Sequence, residues 1–306
     1  MNIHDKFREL NNPLGVHPIN WSNDDFRDLG ETTPLEACFQ QMKEAGYVGT
    51  EVGHKYPDDP NLLRPMMDKF QLRLIGGWHS TYLAENEFEE EEGRFLKYLR
   101  FLKAMNASVV VVAECSQAIH SDESAPLKFD HDLINISEDE WVNVYQGLDK
   151  LSELAAAEGL PVVYHHHMGT VVQSESCLDA LMTNTNNLKL LFDTGHLTFA
   201  GINPETILDR YLDRIAHVHL KNVRPSIVGK VREQGLSFGQ AVRAGVFTVP
   251  GDEAESGVEY SILLTRLAEN GYNGWYVVEA EQDPRMADPL EYALKARKYI
   301  RETTGL

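Results

Sequence analysis

The segment SVVVVAEC, from Ser108 to Cys115, is a continuous run of valines that ends beside a carboxylate. Such a run is typical of a parallel strand that is buried on both faces. Similar short apolar runs alternate with helical stretches along the chain, and seven more are predicted to be strands: Leu14–Asn20, Tyr47–Gly53, Leu72–His79, Leu160–His167, Leu188–His196, Ile215–Asn222 and Gly274–Glu281. Eight strand–helix units in 306 residues favour a closed (β/α)8 TIM barrel over an open sheet.

We expect residues 1–306 to form a single (β/α)8 barrel domain, because no linker or shift in composition divides the chain. Ser137 and Glu140 have the spacing of a capping box, which predicts a helix from Glu138 to Glu158. After the seventh strand, residues 224–257 form an insertion with one short predicted helix. This insertion is expected to be a lid or an oligomer contact. The sequence does not decide whether the protein forms a homo-oligomer.

The net charge of −19, without clusters of lysine and arginine, argues against nucleic acid as a partner. A nucleic-acid-binding surface needs such clusters to displace counterions from phosphates. The sequence has no run of ~20 apolar residues and starts with a polar segment, so we expect a cytoplasmic protein that does not span a membrane. The expected partner is a small molecule.

Ionisable residues recur at the carboxyl ends of the predicted strands, where TIM barrels carry their reactive groups. They are Glu51, His79, Glu114, His165, His166, His167, Asp193, His217, His219, Lys221, Glu279 and Glu281. Burying so many of them costs free energy unless they pair with one another or bind a cation. Their clustering therefore favours a metal site over a purely structural network. The expected ligands are His165, Asp193, His219 and Glu279. Imidazole with carboxylate suits Mn²⁺, Co²⁺, Fe²⁺, Zn²⁺ or Mg²⁺.

Three segments resemble the xylose-isomerase-like barrel superfamily: DTGH at Asp193–His196, HVHLKN at His217–Asn222 and VVEAEQDP at Val277–Pro284. The resemblance implies that four residues bind a divalent metal: a Glu at the end of the fifth predicted strand (Leu160–His167), an Asp, a His and a terminal Glu. This chain has His165 where the family usually has the first Glu. His167 or Glu114 is the alternative to His165 as that ligand.

Within this superfamily the closer resemblance is to the inosose dehydratase family. It is carried by six segments: Gly15–Asp25, Tyr164–Gln173, Phe192–Gly201, His217–Arg224, Gly245–Asp252 and Gly274–Pro284. The resemblance implies that the chain removes water from a keto-inositol, a small polyol ketone, to give a cyclic diketone. It also implies a divalent metal, with Mn²⁺ or Co²⁺ as the usual choices.

Loss of water beside a ketone requires removal of an α proton, stabilisation of an enediolate and protonation of the leaving hydroxyl. The metal is expected to stabilise the enediolate as a Lewis acid. His196 follows Asp193 by three residues, and we expect it to act as general base or acid near neutral pH. His167 is the second candidate for proton transfer. Lys221 is expected to bind a substrate oxygen or to stabilise the enediolate.

Each of these residues also has a structural alternative. His196 and His167 could orient a metal ligand instead, and Lys221 could form a salt bridge with Glu51 or Glu281. Substrate contacts are expected from Asn20, Trp21, Glu51, His79, Glu114 and Arg224. For Trp21 a place in the core is an equal alternative.

Three other functions stay open on the sequence. A sugar isomerase or ketose epimerase on the same barrel is the nearest, although its usual pattern has a Glu on strand five, where this chain has His165. A DNA repair enzyme like endonuclease IV needs a basic DNA-binding face, which the net charge argues against. A non-catalytic barrel that binds a polyol is the third, and the full set of strand-end ligands argues against it.

Overall fold

A computed structural model describes residues 3–129, 134–252 and 256–306 of the chain. Its strands are β1 (Leu14–Val16), β2 (Gly49–Thr50), β3 (Arg73–Leu74), β4 (Trp78–Thr81), β5 (Val110–Glu114), β6 (Val162–His165), β7 (Lys189–Asp193), β8 (Ile215–Leu220), β9 (Asn222–Val223), β10 (Phe247–Thr248) and β11 (Tyr276–Val278). Its α-helices are α1 (Ile3–Leu10), α2 (Leu35–Glu44), α3 (Pro60–Lys69), α4 (Phe88–Ala104), α5 (Glu138–Ala157), α6 (Glu175–Asn184), α7 (Thr194–Ala200), α8 (Pro204–Tyr211), α9 (Pro225–Gln234), α10 (Phe238–Arg243), α11 (Tyr260–Glu269) and α12 (Pro289–Thr304).

Nine of the strands form one parallel sheet in the order β3-β2-β1-β11-β8-β7-β6-β5-β4. The two end strands, β3 and β4, are consecutive in the chain, so the short segment between them closes the barrel. Ile75 in that segment donates its N–H to Thr50 on one side, and its carbonyl accepts from Val109 on the other. The predicted (β/α)8 barrel is therefore confirmed, with its third strand split into β3 and β4.

The floor of the barrel is filled by Ile75, Trp275 and Val277, which form a buried apolar cluster of their own. Gly49 leaves room for this cluster, because a Cβ there would lie 2.6 Å from the Trp275 ring. The larger core lies between the outside of the sheet and the surrounding helices. A solid floor leaves the opposite end, at the carboxyl ends of the strands, as the open mouth of the barrel.

The predicted helix after Ser137 is α5, and the capping box of Ser137 and Glu140 is formed. The insertion after the seventh barrel strand contains two helices, α9 and α10, so the prediction of one helix was wrong. Gly235, with φ of 61°, ends α9, and a second capping box at Ser237 starts α10. Residues 253–255 of the predicted insertion lie outside the described residues.

The extent of the domain stays a prediction. Within the described ranges, the helices are too short or too polar to cross a membrane.

Replacement of Gly49 by Ala is expected to lower the free energy of unfolding by about 1–3 kcal/mol, because the new methyl group overpacks the floor. Gly93→Ala is the matched control. Gly93 lies in α4, and a Cβ added there would have no atom within 4 Å, so Ala there is expected to add about 0.5–1 kcal/mol. Denaturant unfolding measures both values, and equal stability of the two variants contradicts the packing described here.

Candidate active site

Four buried side chains meet at the mouth of the barrel: His165 at the end of β6, Asp193 at the end of β7, His219 in β8 and Glu279 after β11. Each presents one nitrogen or oxygen atom, and these atoms all lie within 4.8 Å of one another. They are the four residues that the sequence predicts as metal ligands. The parallel strands bring them together because their carboxyl ends share one edge of the barrel.

Asp193 does two things with its two carboxylate oxygens. Its Oδ1 caps α7 by accepting the backbone N–H of His196 at 2.7 Å. Its Oδ2 is buried without a hydrogen bond among the described residues, 3.5 Å from His165 Nε2 and 3.5 Å from His219 Nδ1. A buried carboxylate oxygen without a donor is costly, so Oδ2 is suited to a cation.

The two ligand-type imidazoles are held in one orientation each. His165 donates from Nδ1 to the carbonyl of His166 at 2.7 Å, which leaves the Nε2 lone pair facing Asp193. His219 donates from Nε2 to Glu51 Oε1 at 2.7 Å. Its Nδ1 lies 2.8 Å from Glu279 Oε2. Burial lowers the pKa of His219, but Glu51 and Glu279 outweigh burial and raise this pKa well above its usual value. A cation at Nδ1 would therefore displace a proton. The partners of His165 Nδ1 and His219 Nε2 fix which ring nitrogen is available to bind a metal.

Glu51 also accepts a hydrogen bond from His217 Nε2 at 2.8 Å, through the same Oε1 that holds His219. Burial raises the pKa of Glu51, but the charge and hydrogen bonds of His219 and His217 outweigh it and hold this pKa well below its usual value. Glu51 is therefore an ionised carboxylate that braces His219. It also borders the cavity, so its predicted role in substrate contact stays a prediction.

Lys221 is a fully buried cation among the acidic groups. Its Nζ contacts Glu279 Oε1, lies 3.1 Å from Glu281 Oε1 and lies 3.9 Å from Asp193 Oδ2. Burial lowers the pKa of Lys221, but these three carboxylates outweigh burial and raise it. Gly195 makes room for this lysine, because a Cβ at Gly195 would lie 2.4 Å from Lys221 Cγ. This close contact explains why the DTGH segment has a glycine at position 195.

Negative charge is in excess at this end of the barrel. Burial raises the pKa values of Asp193 and Glu279, but Lys221, with neighbouring histidines, holds both pKa values well below the usual range. Burial raises the pKa of Glu281 to about 7, although Lys221 lowers it. Lys221 alone among the lysines of the described ranges contacts Asp193, Glu279 and Glu281, so the donor set fits a divalent cation.

His167 and His196 form a second group with Glu281, again with one atom each within 4.8 Å. The two imidazole rings are 3.9 Å apart. His167 faces the cavity, whereas His196 is fully buried behind it. Burial, together with neighbouring imidazoles, holds both pKa values well below the usual value, so both rings are neutral.

The insertion supplies an apolar wall for this second group. Phe238 of α10 lies 5.0 Å from His167 and 6.0 Å from His196, measured between ring centroids. Phe247 of β10 lies 5.1 Å from the His196 ring and 4.6 Å from Lys221 Nζ. The insertion therefore helps to keep water away from these groups.

A cavity of about 430 Å³ opens beside the four ligand-type residues. The predicted site residues on its wall are His165, His167, His219, Glu51 and Glu279. Polar residues that were not predicted to bind metal or substrate also line it, among them His17, Asp24, Asp25, His54, His120 and Glu281. Three of them, His17, Asp24 and Asp25, lie in the segment Gly15–Asp25, which carries part of the family resemblance and could have identified them. His120 lies in a loop without any strand-end signal.

His79 and Glu114 do not reach the cavity, contrary to the expectation that they contact substrate. His79 stacks on Tyr98 of α4 at 5.7 Å, while its neighbours Trp78 and Ser80 face the cavity. Side chains alternate along a strand, so His79 faces outward. Glu114 accepts hydrogen bonds from Thr81 Oγ1 at 2.7 Å and from Leu83 N at 3.0 Å, which also takes it away from the ligand group.

Three more residues that were predicted to contact substrate do not line the cavity and bind other parts of the protein. Asn20 accepts the backbone N–H of Ala280 at 2.8 Å. Trp21 is fully buried and donates to Gln41, which is the core position held open as its alternative. Arg224 binds Asp252 at 2.8 Å and the carbonyl of Gly245 at 2.7 Å, so it ties the insertion together.

Comparison with known proteins defines the class. A family model described as xylose isomerase-like TIM barrel matches residues 39–303. The probable 3-DHS dehydratase AsbF from Bacillus anthracis has a TM-score of 0.68 at 14% identity, over 94% of this chain and 98% of that one. The IOLI protein with a bound zinc atom has a TM-score of 0.65 at 16% identity, over 96% and 98%. At such identities these two structures show the fold alone. The class is therefore the xylose isomerase-like TIM barrel.

Closer relatives narrow the class to a family. An inosose dehydratase of Geobacillus thermodenitrificans is 46% identical over 302 residues, which cover 98% of this chain and 100% of the relative. One from Clostridium botulinum is 45% identical over 295 residues, 96% of this chain and 97% of the relative. The chain therefore belongs to the inosose dehydratase family. It is an enzyme, a dehydratase that acts as a carbon–oxygen lyase, which confirms the enzyme class expected from the sequence.

Replacement of Lys221 by Met is expected to destabilise the metal-free protein by about 3–5 kcal/mol, because Glu279 and Glu281 lose their shared cation in a buried place. Lys103→Met is the control. Lys103 pairs with Glu158 on the surface, so its loss should stay within about 0.5 kcal/mol. Urea unfolding at pH 8 distinguishes the two. A Lys221→Met loss as small as the control contradicts the charge balance described above.

Proposed function

We propose that this enzyme removes water from a keto-inositol to give a cyclic diketone, with a divalent cation held by His165, Asp193, His219 and Glu279. The observation that carries the proposal is the convergence of four buried ligand atoms within 4.8 Å. One of them, Asp193 Oδ2, lacks a hydrogen bond in the described ranges. The inosose dehydratase names of the relatives support the substrate.

The donor set also bears on the choice of metal. It consists of two imidazoles and two carboxylates without a thiolate, which suits Mn²⁺ and Co²⁺ and is compatible with Fe²⁺, Zn²⁺ or Mg²⁺. The zinc atom bound by the IOLI protein supports a divalent ion on this kind of barrel. We propose Mn²⁺ or Co²⁺ as the working metal.

The reaction breaks a C–H bond beside the ketone and a C–O bond on the next carbon. Loss of the α proton places the C–H electron pair in an enediolate, with negative charge on the ketone oxygen. Return of this charge re-forms the C=O bond and makes a C=C bond to the next carbon as its hydroxyl takes a proton and leaves as water. The enol so formed tautomerises to the diketone. A bound divalent cation supplies Lewis-acid stabilisation for the negative charge that develops on the ketone oxygen. The protein must supply one group that takes the α proton and another that protonates the leaving hydroxyl.

We propose that His167 takes the proton. It faces the cavity, and its Nδ1–H donates to the Met168 carbonyl at 2.8 Å. The lone pair of Nε2 is therefore free, on a ring that burial keeps neutral. A neutral imidazole that faces the substrate is suited to general base catalysis.

Glu281 is placed to protonate the leaving hydroxyl. It lines the same cavity, and its pKa of about 7 leaves part of the molecules protonated at neutral pH. Its Oε1 is engaged by Lys221 at 3.1 Å. Its Oε2 is buried without a hydrogen bond from any described residue, so Oε2 is the atom that carries the proton.

His196 and Lys221 support these two groups from behind. Lys221 Nζ lies 3.0 Å from His196 Nε2, so the lysine donates to that nitrogen. The His196 ring then packs on His167 at 3.9 Å. The role of His196 as general base stays a prediction, but its burial behind His167 favours His167 as the group that meets the substrate.

The test of the proposed function is turnover of keto-inositol by the protein before and after removal of metal. We expect the chelated protein to be inactive, and Mn²⁺ or Co²⁺ to restore formation of one diketone for each keto-inositol consumed. Asp193→Asn keeps an oxygen that can cap α7 but removes the carboxylate, so metal should not rescue that variant. Full turnover by protein that elemental analysis shows to be metal-free contradicts the proposal.

His167→Asn is expected to lower kcat by about 10²- to 10⁴-fold, the usual contribution of a general base. Its metal affinity, measured by titration calorimetry, should not change. His196→Asn is the matched variant, and its loss should be smaller because that ring does not meet the substrate. The reverse order, with near-normal turnover in His167→Asn, assigns the base to His196 and contradicts the mechanism.

A further inference from the structure

The cavity has a second group of polar residues on its wall, besides the four ligand-type side chains. It is built from loops that follow β1, β2 and β5, and these carry Asp24, Asp25, His54 and His120. Asp24 is already occupied, because its Oδ1 lies 2.8 Å from His54 Nδ1. Asp25 and His120 lie outside this Asp24–His54 pair.

Asp25 and His120 face each other across a gap. His120 Nε2 lies 3.8 Å from Asp25 Oδ1, which is too long for a direct hydrogen bond. His120 Nδ1 is buried without a hydrogen bond to any described residue. Burial lowers the pKa of His120 to about 4, so the ring is neutral and can both donate and accept. A carboxylate beside a neutral imidazole is a pair that can bind an alcohol.

Both residues are held in place by their own loops. Asn23 is fully buried, and its Oδ1 accepts the backbone N–H groups of Asp25 at 2.9 Å and Phe26 at 2.7 Å. On the other loop, Ile119 donates its N–H to the carbonyl of Gly169 at 2.8 Å. Gly169 has φ of 79°, and a Cβ there would lie 3.0 Å from His120 Cα. Gly169 thus lets the loop of His120 dock closely against the loop after β6.

The pair lies beside the proton-transfer group of the proposed mechanism. The His120 and His167 rings are 5.2 Å apart, so a substrate that reaches His167 also reaches His120. A keto-inositol carries a hydroxyl on every ring carbon except the ketone. Hydroxyls that the cation does not bind need other partners, because a hydroxyl that leaves water without a hydrogen bond costs affinity.

We propose that Asp25 and His120 form a subsite that binds one hydroxyl of the polyol ring, a hydroxyl that the cation does not hold. This inference rests on the proposed function, because it takes a polyol ketone as the ligand. The hydroxyl donates to the Asp25 carboxylate and accepts from His120. The subsite sets which polyols bind and does not take part in the bond-breaking steps.

Steady-state kinetics with keto-inositol and metal-loaded protein tests the subsite. Asp25→Asn and His120→Ala should each raise KM about 10- to 100-fold, the value of a hydrogen bond to a charged group, with kcat within about threefold. Asp25→Asn/His120→Ala should lose little more than the worse single variant, since both contacts go to one hydroxyl. Gly169→Ala should raise KM in the same way by displacing His120. Additive losses, unchanged KM or a fall in kcat at unchanged KM each overturn the subsite.

Asp28→Asn is the matched control on the same loop. Its carboxylate pairs with Arg243 on the surface, 2.8 Å away, so KM should be that of the parent protein. Calorimetric binding of myo-inositol, an unreactive polyol, separates the subsite from the reaction. If the parent protein does not turn over keto-inositol, the proposed function fails. In that case weaker myo-inositol binding by Asp25→Asn and His120→Ala still supports the subsite, and equal binding overturns it.

Discussion

The mouth of this barrel depends on the compensation of buried negative charge. Glu51, Asp193, Glu279 and Glu281 are all buried there, and Lys221 is the buried lysine among them. Carboxylates removed from water must pair, accept hydrogen bonds or bind a cation. Lys221 lies between Glu279 and Glu281, and His219 lies between Glu51 and Glu279. A divalent cation, as proposed above, would balance the remaining excess of charge.

The site works because most side chains use one atom for support and leave another for chemistry. Asp193 caps α7 with Oδ1 and leaves Oδ2 free. His165 and His167 each donate from Nδ1 to a backbone carbonyl and leave Nε2 free. His219 gives Nε2 to Glu51 and turns Nδ1 toward Glu279 and Asp193. Local hydrogen bonds thus fix the direction of each free atom before any ligand binds, which is the preorganisation that catalysis requires.

The sequence was sufficient to predict the barrel and the convergence of His165, Asp193, His219 and Glu279. Both follow from periodicity: alternating strands and helices, and ionisable residues at strand ends. That these four residues bind a metal stays a prediction. The sequence was insufficient where a shift of one residue along a strand decides whether a side chain faces the cavity or the surrounding helices. His79 ends an apolar run but faces α4, since the strand alternates and the run splits at residues 75–77. Glu114 ends a strand but is taken by Thr81 and the backbone of Leu83. His120 was not identified because its position depends on loop docking at Gly169, which has no local pattern.

The measurement that bears most directly on the central claim is the anomalous scattering of crystals grown with Mn²⁺, recorded at the manganese absorption edge. The geometry predicts one strong peak, bonded to His165 Nε2, Asp193 Oδ2, His219 Nδ1 and the Glu279 carboxylate. The Lys221 ammonium is expected to keep its contact with Glu281. A peak among His167, His196 and Glu281, or no peak in this end of the barrel at saturating Mn²⁺, contradicts the account.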